Sequence, residues 1–192
     1  MPPLILASTS PYRRALMDRL GLPYACERPR CDEEALKDPA LPARALAERL
    51  AEAKAASVAA VCPGAVVIGS DQVCALDDAI LHKPGDRERT VAQLLRLQGR
   101  SHRLITAVSL HHPGGALRHT EEVVLHMRPL DRAAAERYAD ADRPFDCAGA
   151  YKLERRGIAL FRRIDAADHD SIVGLPLLWL ADALIGLGYP LP

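Results

Sequence analysis

The hydrophobic pattern divides the chain into short apolar runs, typical of strands, and longer segments with one apolar face, typical of helices. Residues 4–8 read LILAS and predict a short buried strand. A helix is predicted directly after it, because Ser10 suits the cap position and Pro11 the first helical position. Gly21 can end this helix after Leu20.

The middle of the first half contains the most clearly predicted helix and an apolar strand. Residues 22–27 (LPYACE) predict a second strand, and a polar stretch follows at residues 29–42. Residues 43–61 are rich in alanine and contain no internal glycine or proline, which predicts a long helix. Residues 65–76 (AVVIGSDQVCAL) are apolar on both sides of GSD. They predict a strand with a break there, so that Asp71 stands where the chain leaves the strand.

The second half mixes strands and helices without strict alternation. Asp86 and Gly99 bound a predicted helix at residues 86–98. A hairpin is predicted at residues 101–127, on either side of Pro-Gly-Gly at 113–115. Further predicted segments are a helix at 131–140, a loop at 146–152, a strand at 157–164 and a helix at 176–187. We therefore predict an α/β fold with a mixed sheet, and one domain over residues 1–192, since no repeat or low-complexity linker occurs.

Composition narrows the choice of function. The chain has 192 residues, with 25 lysines and arginines against 25 acidic residues. This zero net charge disfavours a general nucleic-acid or anionic-membrane binder. The sequence shows neither an apolar run long enough for a membrane span nor a signal peptide, so we expect a cytoplasmic protein. The five cysteines include no C-x-x-C pair, which indicates reduced thiols.

The first candidate site is the stretch LASTSPYRR at residues 6–14. A strand that leads into a helix directs backbone N–H groups and the positive end of the helix dipole at one point. Ser8 and Ser10 add hydroxyl groups there. Arg13 and Arg14 stand in the first turn, where positive charge is unfavourable unless an anion is bound. The combination favours a phosphate site, although a capped helix with solvated arginines remains an alternative.

Asp71 is the second candidate, because a carboxylate there could ligate a metal or orient water. An aspartate is by itself a weak base, and a divalent cation would supply what it lacks. Lys54, Lys83 and Glu33 could serve the same site, Glu33 as a second metal ligand. Each has a plainer alternative as a solvated or surface-paired charge. The segment DHD at residues 168–170 is better interpreted as a polar turn than as a metal site.

Several common catalytic motifs are missing from the sequence. There is no G-x-x-x-x-G-K-[ST] loop of a P-loop nucleotidase, no H-E-x-x-H zinc motif and no G-x-S-x-G elbow of an esterase.

The order of short motifs is more specific than any one of them. LASTSPYRR, CDEE, AEAK, VVIGSDQV, HKP, DCAGAYKLE and SIVGLPL follow one another from Leu4 to about Leu187. In this order they resemble the Maf family of nucleotide pyrophosphatases. The resemblance implies a two-lobed fold related to inosine-triphosphate pyrophosphatases, with a mixed central sheet and a cleft between the lobes.

The resemblance also implies an activity and a set of site residues. Members hydrolyse nucleoside triphosphates to the monophosphate and diphosphate with a divalent cation, Mg²⁺ or Mn²⁺. The phosphate-binding motif falls on Ser8, Ser10, Arg13 and Arg14, with Lys54 and Lys83 adding positive charge. Asp71 falls on the catalytic acidic position, and Glu33 falls on a polar position of the same cleft. We therefore expect Asp71 and Glu33 to be the metal ligands. Family members often form dimers, so a homodimer is implied.

Three residues resemble the branch of the family that acts on 7-methyl-GTP. They are Tyr12, Gln72 and Glu154, at positions where the dTTP and UTP branch has other residues. Arg155 departs from the glycine usual in both branches. Methylation at N7 makes guanine cationic, which suits a tyrosine face and a carboxylate. The alternatives are a dTTP/UTP or broad-specificity pyrophosphatase and, in another class, a non-catalytic regulator of septum formation.

Overall fold

Strands and helices follow the apolar pattern closely in the computed structural model, which describes residues 1–192. The strands are β1 (Leu4–Leu6), β2 (Ala25–Cys26), β3 (Val66–Leu76), β4 (Ala79–Leu81), β5 (Ser101–His112), β6 (Gly115–Met127) and β7 (Phe161–Asp165). The helices are α1 (Pro11–Asp18), α2 (Glu33–Leu36), α3 (Ala43–Ala59), α4 (Arg87–Leu97), α5 (Arg132–Asp142) and α6 (Leu177–Gly186).

The seven strands form one mixed sheet in the order β2-β1-β3-β5-β6-β7, with β4 paired to β3. β1 runs parallel to both β2 and β3, whereas the β3–β4 and β6–β7 pairs are antiparallel. Strands β5 and β6 are neighbours joined by two residues, a connection that only an antiparallel pair allows. The predicted mixed α/β fold is thereby confirmed.

The chain divides into two compact units, with β3, β5 and β6 each shared between them. Unit 1 comprises residues 1–72, 106–121 and 168–192; unit 2 comprises residues 73–105 and 122–167. Unit 1 has an apolar core on each face of its strands. Leu6 and Ile68 pack with α1 and α6 on one face, and Ile5 and Val67 pack with Val58 of α3 on the other. The assignment of residues 1–192 to one domain remains a prediction.

Unit 2 has an aromatic core of its own. The rings of Tyr151 and Phe161 meet edge to face with their centroids 4.8 Å apart, and the His102 ring lies within 6 Å of both. Helices α4 and α5 also belong to this unit. Such aromatic contacts stabilise a core beyond the area they bury.

The predicted break at GSD is wrong, because β3 runs without interruption from Val66 to Leu76. Asp71 therefore lies inside a strand rather than at its end. Gly69 does not interrupt the strand but makes room for a helix. A Cβ atom there would lie 2.5 Å from Ala51 O and Ala55 N of α3, so only glycine lets the helix approach the strand this closely.

Other boundaries differ by small amounts. Helix α1 ends at Asp18 rather than at Leu20, and β2 has only two residues. The strand predicted from residue 157 begins at Phe161, because residues 156–160 form a 3₁₀ turn. All five cysteines are free, as predicted. None of the helices has the length and apolar character needed to cross a membrane.

Candidate active site

The side-chain alternation of β3 assigns neighbouring residues to opposite faces of the sheet. Gly69 and Asp71 face α3, whereas Ser70 and Gln72 face the segment 171–174. This segment consists of the end of the 3₁₀ turn His169–Ile172 and the two residues that follow it. One strand therefore supplies functional groups to two different surroundings within unit 1.

On the α3 face, one lysine holds two carboxylates. Lys54 Nζ lies 2.7 Å from Asp71 Oδ1 and 2.9 Å from Glu33 Oε2. Lys54 is only 6% exposed, so its charge is compensated by these two groups rather than by water. The structure thus brings together three of the predicted site residues, which are separated by 17 to 38 positions in the sequence.

A local cap forms the short helix on which Glu33 stands. The carboxylate of Asp32 accepts hydrogen bonds from Glu34 N at 3.1 Å and Ala35 N at 3.2 Å. This satisfies N–H groups at the start of α2 and fixes the backbone around Glu33. The polar CDEE run is therefore an ordered turn of helix that carries one carboxylate to Lys54.

The turn between β1 and α1 is held by its own serines. Ser10 N donates to Ser8 Oγ at 3.1 Å, and Ser10 Oγ caps α1 by accepting from Arg13 N at 3.4 Å. The predicted cap is confirmed, and Pro11 occupies the first turn. Tyr12 is half-buried in the same turn.

The two arginines of this turn have different surroundings. Arg13 Nε donates to Gly174 O at 3.0 Å. Burial lowers the pKa of Arg13, and the carboxylates of Asp71 and Glu33 act in the opposite direction. Arg14 is exposed, and its contact with the Cys26 side chain raises the pKa of Arg14. Only Arg13 is therefore associated electrostatically with the Asp71–Glu33 pair.

The Gln72 side chain lies on the face of β3 opposite to Asp71, where hydrogen bonds hold it in place. Its amide Nε2 lies 2.9 Å from Ser171 O, 3.0 Å from Ile172 O and 2.9 Å from Thr106 Oγ1. Thr106 in turn donates to Ser171 O at 2.8 Å. The amide nitrogen is thus used within unit 1, and the carbonyl oxygen is the end of Gln72 that can accept a hydrogen bond from a ligand.

Three further residues of the sequence analysis belong to unit 2. Lys83 and Glu154 are both exposed there, as is Arg155. Their assignments to phosphate binding and base selection remain predictions.

The role of the 171–174 segment was not predicted from the sequence. Its carbonyl oxygens accept hydrogen bonds from four side chains, those of Arg13, Ser70, Gln72 and Thr106. The motif SIVGLPL contributed to the family resemblance, but its carbonyl groups carry no residue-type signal. The preferred polar turn at 168–170 is confirmed, since Asp168 caps the 3₁₀ turn His169–Ile172.

The carboxylate pair fits a divalent cation. Asp71 and Glu33 already share one positive charge, the Lys54 ammonium, within 3 Å of each. The chain has no cluster of three or more His, Cys, Asp or Glu side chains arranged around a metal. Two carboxylates suit Mg²⁺, which proteins commonly hold through one or two carboxylates together with substrate phosphates.

Comparison with known proteins adds a full-length match. A family model described as "Maf-like protein" matches residues 3–187. A Bdellovibrio bacteriovorus protein named 7-methyl-GTP pyrophosphatase is 45% identical over 94% of this chain and 95% of its own length. Proteins of the same name from Xanthomonas oryzae and Pseudomonas syringae are 48% and 43% identical over the full length of both chains. The solved Staphylococcus aureus Ham1 protein aligns with a TM-score of 0.56 at 14% identity, covering 96% of this chain and 99% of that one, which shows a shared fold.

Proposed function

This chain belongs to the Maf family, and on that premise we propose that it is a nucleoside triphosphate pyrophosphatase that converts 7-methyl-GTP to 7-methyl-GMP and diphosphate. The structural observation that carries the proposal is the buried Lys54, with Asp71 and Glu33 both bound to its ammonium group. The names of the full-length relatives support the choice of substrate. The biological consequence would be removal of a modified nucleotide before a polymerase could use it.

Asp71 and Glu33 are the residues that would hold the divalent cation. When bound, Mg²⁺ or Mn²⁺ neutralises phosphate charge and acidifies a coordinated water. When no cation is bound, Lys54 keeps the two carboxylates close together, because each of them pairs with the same nitrogen. Preorganised charge of this kind requires no rearrangement when negative charge develops in the transition state.

The first turn of α1 is the proposed grip on the triphosphate. Arg13 is a permanent cation whose Nε–H is already bound to Gly174 O, which leaves its terminal nitrogens for phosphate oxygens. Ser8 and Ser10 shape the turn, and the helix dipole adds to the positive potential. Arg14 and Lys83 are proposed as further phosphate contacts.

The chemical step is the attack of water on the α-phosphorus. The bond from that phosphorus to the bridging oxygen breaks, and diphosphate leaves with the oxygen and its electron pair. Asp71 orients the water, and its carboxylate would either accept the proton of that water or serve chiefly as a ligand of the cation. Lys54, Lys83 and Arg13 counter the charge that the leaving diphosphate gains.

Base selection is assigned to Tyr12, Gln72 and Glu154. A tyrosine face attracts a cationic ring by about 0.5–2 kcal/mol. A carboxylate such as Glu154 can accept hydrogen bonds from N1–H and the exocyclic amine of guanine. The carbonyl oxygen of Gln72 can accept another, since the amide nitrogen is held by Ser171 and Ile172. A pyrimidine offers neither the positive ring nor this pair of donors.

A substrate panel tests the proposal. Diphosphate release is measured with 7-methyl-GTP, GTP, dTTP and UTP, each with Mg²⁺ and with Mn²⁺. We expect the highest kcat/KM with 7-methyl-GTP. A preference for dTTP or UTP would move the protein to the pyrimidine branch, and no release from any of the four nucleotides would favour the non-catalytic regulator.

An Asp71→Asn variant tests the catalytic residue within the same assay. Loss of a positioned proton acceptor typically costs 10²–10⁴-fold in rate, so we expect kcat to fall at least about a hundredfold. Asp77→Asn is the matched control, because Asp77 stands just beyond the end of β3 and its exposed carboxylate pairs with Arg100. Equal activity of the two variants would exclude Asp71 from the chemical step.

A further inference from the structure

The backbone of Gly174 is in direct contact with Arg13. Gly174 O accepts the Arg13 Nε–H at 3.0 Å, and the two residues are 161 positions apart in the sequence. Burial lowers the pKa of the Arg13 guanidinium, whereas the carboxylates of Asp71 and Glu33 act in the opposite direction. The carbonyl group of Gly174 is an uncharged acceptor that holds the Nε edge of the Arg13 guanidinium.

The absence of a side chain at residue 174 leaves room for this contact. Gly174 has a φ of +128°, a backbone conformation that favours glycine. A Cβ atom there would lie 3.2 Å from Arg13 Nε and 3.4 Å from Arg13 Cγ. Any other residue would strain the backbone, and its Cβ atom would require the Arg13 side chain to shift by a few tenths of an ångström.

The carbonyl group itself is held in place by a second donor. Ser70 is fully buried, and its hydroxyl donates to Gly174 O at 2.9 Å. The oxygen therefore receives one hydrogen bond from β3 and one from α1, within unit 1. A carbonyl oxygen has two lone pairs, so both donors can be accepted together.

We propose that Gly174 is a positioning residue for phosphate binding, with Ser70 as its support. The Gly174 carbonyl binds the Nε–H edge of Arg13 and so directs both terminal nitrogens of the guanidinium at the triphosphate. This inference rests on the proposed phosphate-binding role of Arg13 and extends it to two residues that do not touch the substrate. A guanidinium presents its donors in a fixed plane, so fixing one edge fixes the direction of the others.

The test is binding of magnesium tripolyphosphate, measured by calorimetry, which reports phosphate recognition without a base or turnover. We expect Arg13→Ala and Gly174→Ala each to raise the Kd about tenfold or more, because this is the usual effect of losing a hydrogen bond to a charged group. Ser70→Ala introduces no steric conflict, and it should also raise the Kd, by a smaller factor.

A double-mutant cycle separates positioning from general damage. If Gly174 acts through Arg13, adding Gly174→Ala or Ser70→Ala to Arg13→Ala changes the Kd no further. Gly188→Ala is the control for backbone strain, because Gly188 also has a positive φ but nothing within 4 Å of its added Cβ. Thr90→Val is the control for a lost buried hydroxyl, since Thr90 donates to Asp86 O in unit 2.

These variants distinguish a failure of the proposed phosphate-binding role of Arg13 from a failure of the positioning role of Gly174. If Arg13→Ala binds tripolyphosphate like the wild type, the phosphate role of Arg13 fails. If Arg13→Ala weakens binding but Ser70→Ala and Gly174→Ala do not, or if their effects add to that of Arg13→Ala, the positioning role of Gly174 is overturned. Should Gly174→Ala fail to fold, the Ser70→Ala cycle decides the result by itself.

Discussion

Asp71 and Gln72 are adjacent in the sequence, yet their side chains serve different partners. Asp71 meets Lys54 of α3, and Gln72 meets the carbonyl oxygens of Ser171 and Ile172. The period-two geometry of a strand separates them without any special backbone conformation. In the proposed reaction, the first residue acts at the α-phosphorus and the second at the base.

At the scale of single residues, we predict that the Lys54 ion pairs contribute strongly to the stability of the fold. Its ammonium group is the shared partner of Asp71 and Glu33, and removing one member of a buried ion pair leaves uncompensated charge. We expect Lys54→Met to lower the free energy of unfolding by about 3 kcal/mol, as measured by urea denaturation.

Two further variants control this measurement. Lys37→Met breaks the surface pair with Glu34 and should change stability by less than about 0.5 kcal/mol. The double variant Lys54→Met, Asp71→Asn should be destabilised less than Lys54→Met, because one stranded charge is removed. Equal losses for Lys54→Met and Lys37→Met would contradict the assigned ion pairs.

At the scale of elements, α3 serves the sheet in two places. Near its C-terminal half it carries Lys54, and Gly69 of β3 allows the two backbones to approach. Two residues earlier, Glu52 binds the β5–β6 hairpin through Ser109 Oγ at 2.6 Å, His111 Nε2 at 2.9 Å and Arg118 Nε at 2.9 Å. Helix α3 therefore fixes both a site residue and the hairpin of unit 1.

Glu52 predicts an acid-sensitive link between these elements. Partial burial opposes its ionisation, but hydrogen bonds from Arg118 and Ser109 and the nearby His111 outweigh it and lower the pKa of Glu52 to about 2. A lowered folded-state pKa stabilises the fold above about pH 4.5, and this contribution is lost as the pH falls towards about 2.

The corresponding variant is Glu52→Gln. Because the group is one-third exposed, solvent screening limits the loss to about 1 kcal/mol at pH 7. We expect the stability difference from the wild type, followed by urea denaturation, to narrow from pH 5 to pH 3. Glu136→Gln, which affects only the exposed pair with Arg132, should show no such trend. A constant difference at all pH values would argue against the assigned hydrogen bonds.

At the scale of the whole molecule, the core of unit 2 holds one polar residue that opposes stability in acid. His102 is buried, and Nε2 hydrogen-bonds to Tyr151 OH at 2.9 Å. Its Nδ1 is the single buried polar side-chain atom without a hydrogen-bond partner. Burial, with a smaller contribution from His126, lowers the pKa of His102 to about 4.

His102 therefore makes the stability of the fold depend on pH over a second range, which lies at higher pH than that of Glu52. The unfolded chain binds a proton at this histidine near pH 6.5, whereas the folded chain does so only near pH 4. Stability is therefore lost as the pH falls between these values, by up to about 3 kcal/mol. His102→Gln keeps a polar partner for Tyr151 but cannot titrate, so it should flatten this part of the profile. The exposed His82→Gln should leave the profile unchanged, and identical slopes for the two variants would refute the assignment.

Other whole-molecule properties remain predictions. The cytoplasmic location inferred from the sequence is of this kind, as are the homodimer and the cleft between lobes that the family resemblance implies. Analytical ultracentrifugation of the full chain measures the oligomeric state directly.

The sequence by itself determined the elements whose causes are local. Ser10 and Asp86 cap their helices as expected, because a cap depends on residues only three positions apart. The alanine-rich helix and the long hairpin follow from period and turn residues in the same way. Family resemblance added Asp71, Glu33 and Lys54 as one site, which the residues taken separately left open.

Only the tertiary structure decided which groups meet. The packing of α3 on β3 brought Lys54 to Asp71 and required Gly69, where the local pattern indicated a broken strand. Segment 171–174 reached Arg13, Ser70 and Gln72 across about 100 or more positions, through backbone carbonyl groups that every residue type shares. Such contacts arise from chain packing rather than from side-chain identity, so no local sequence pattern can encode them.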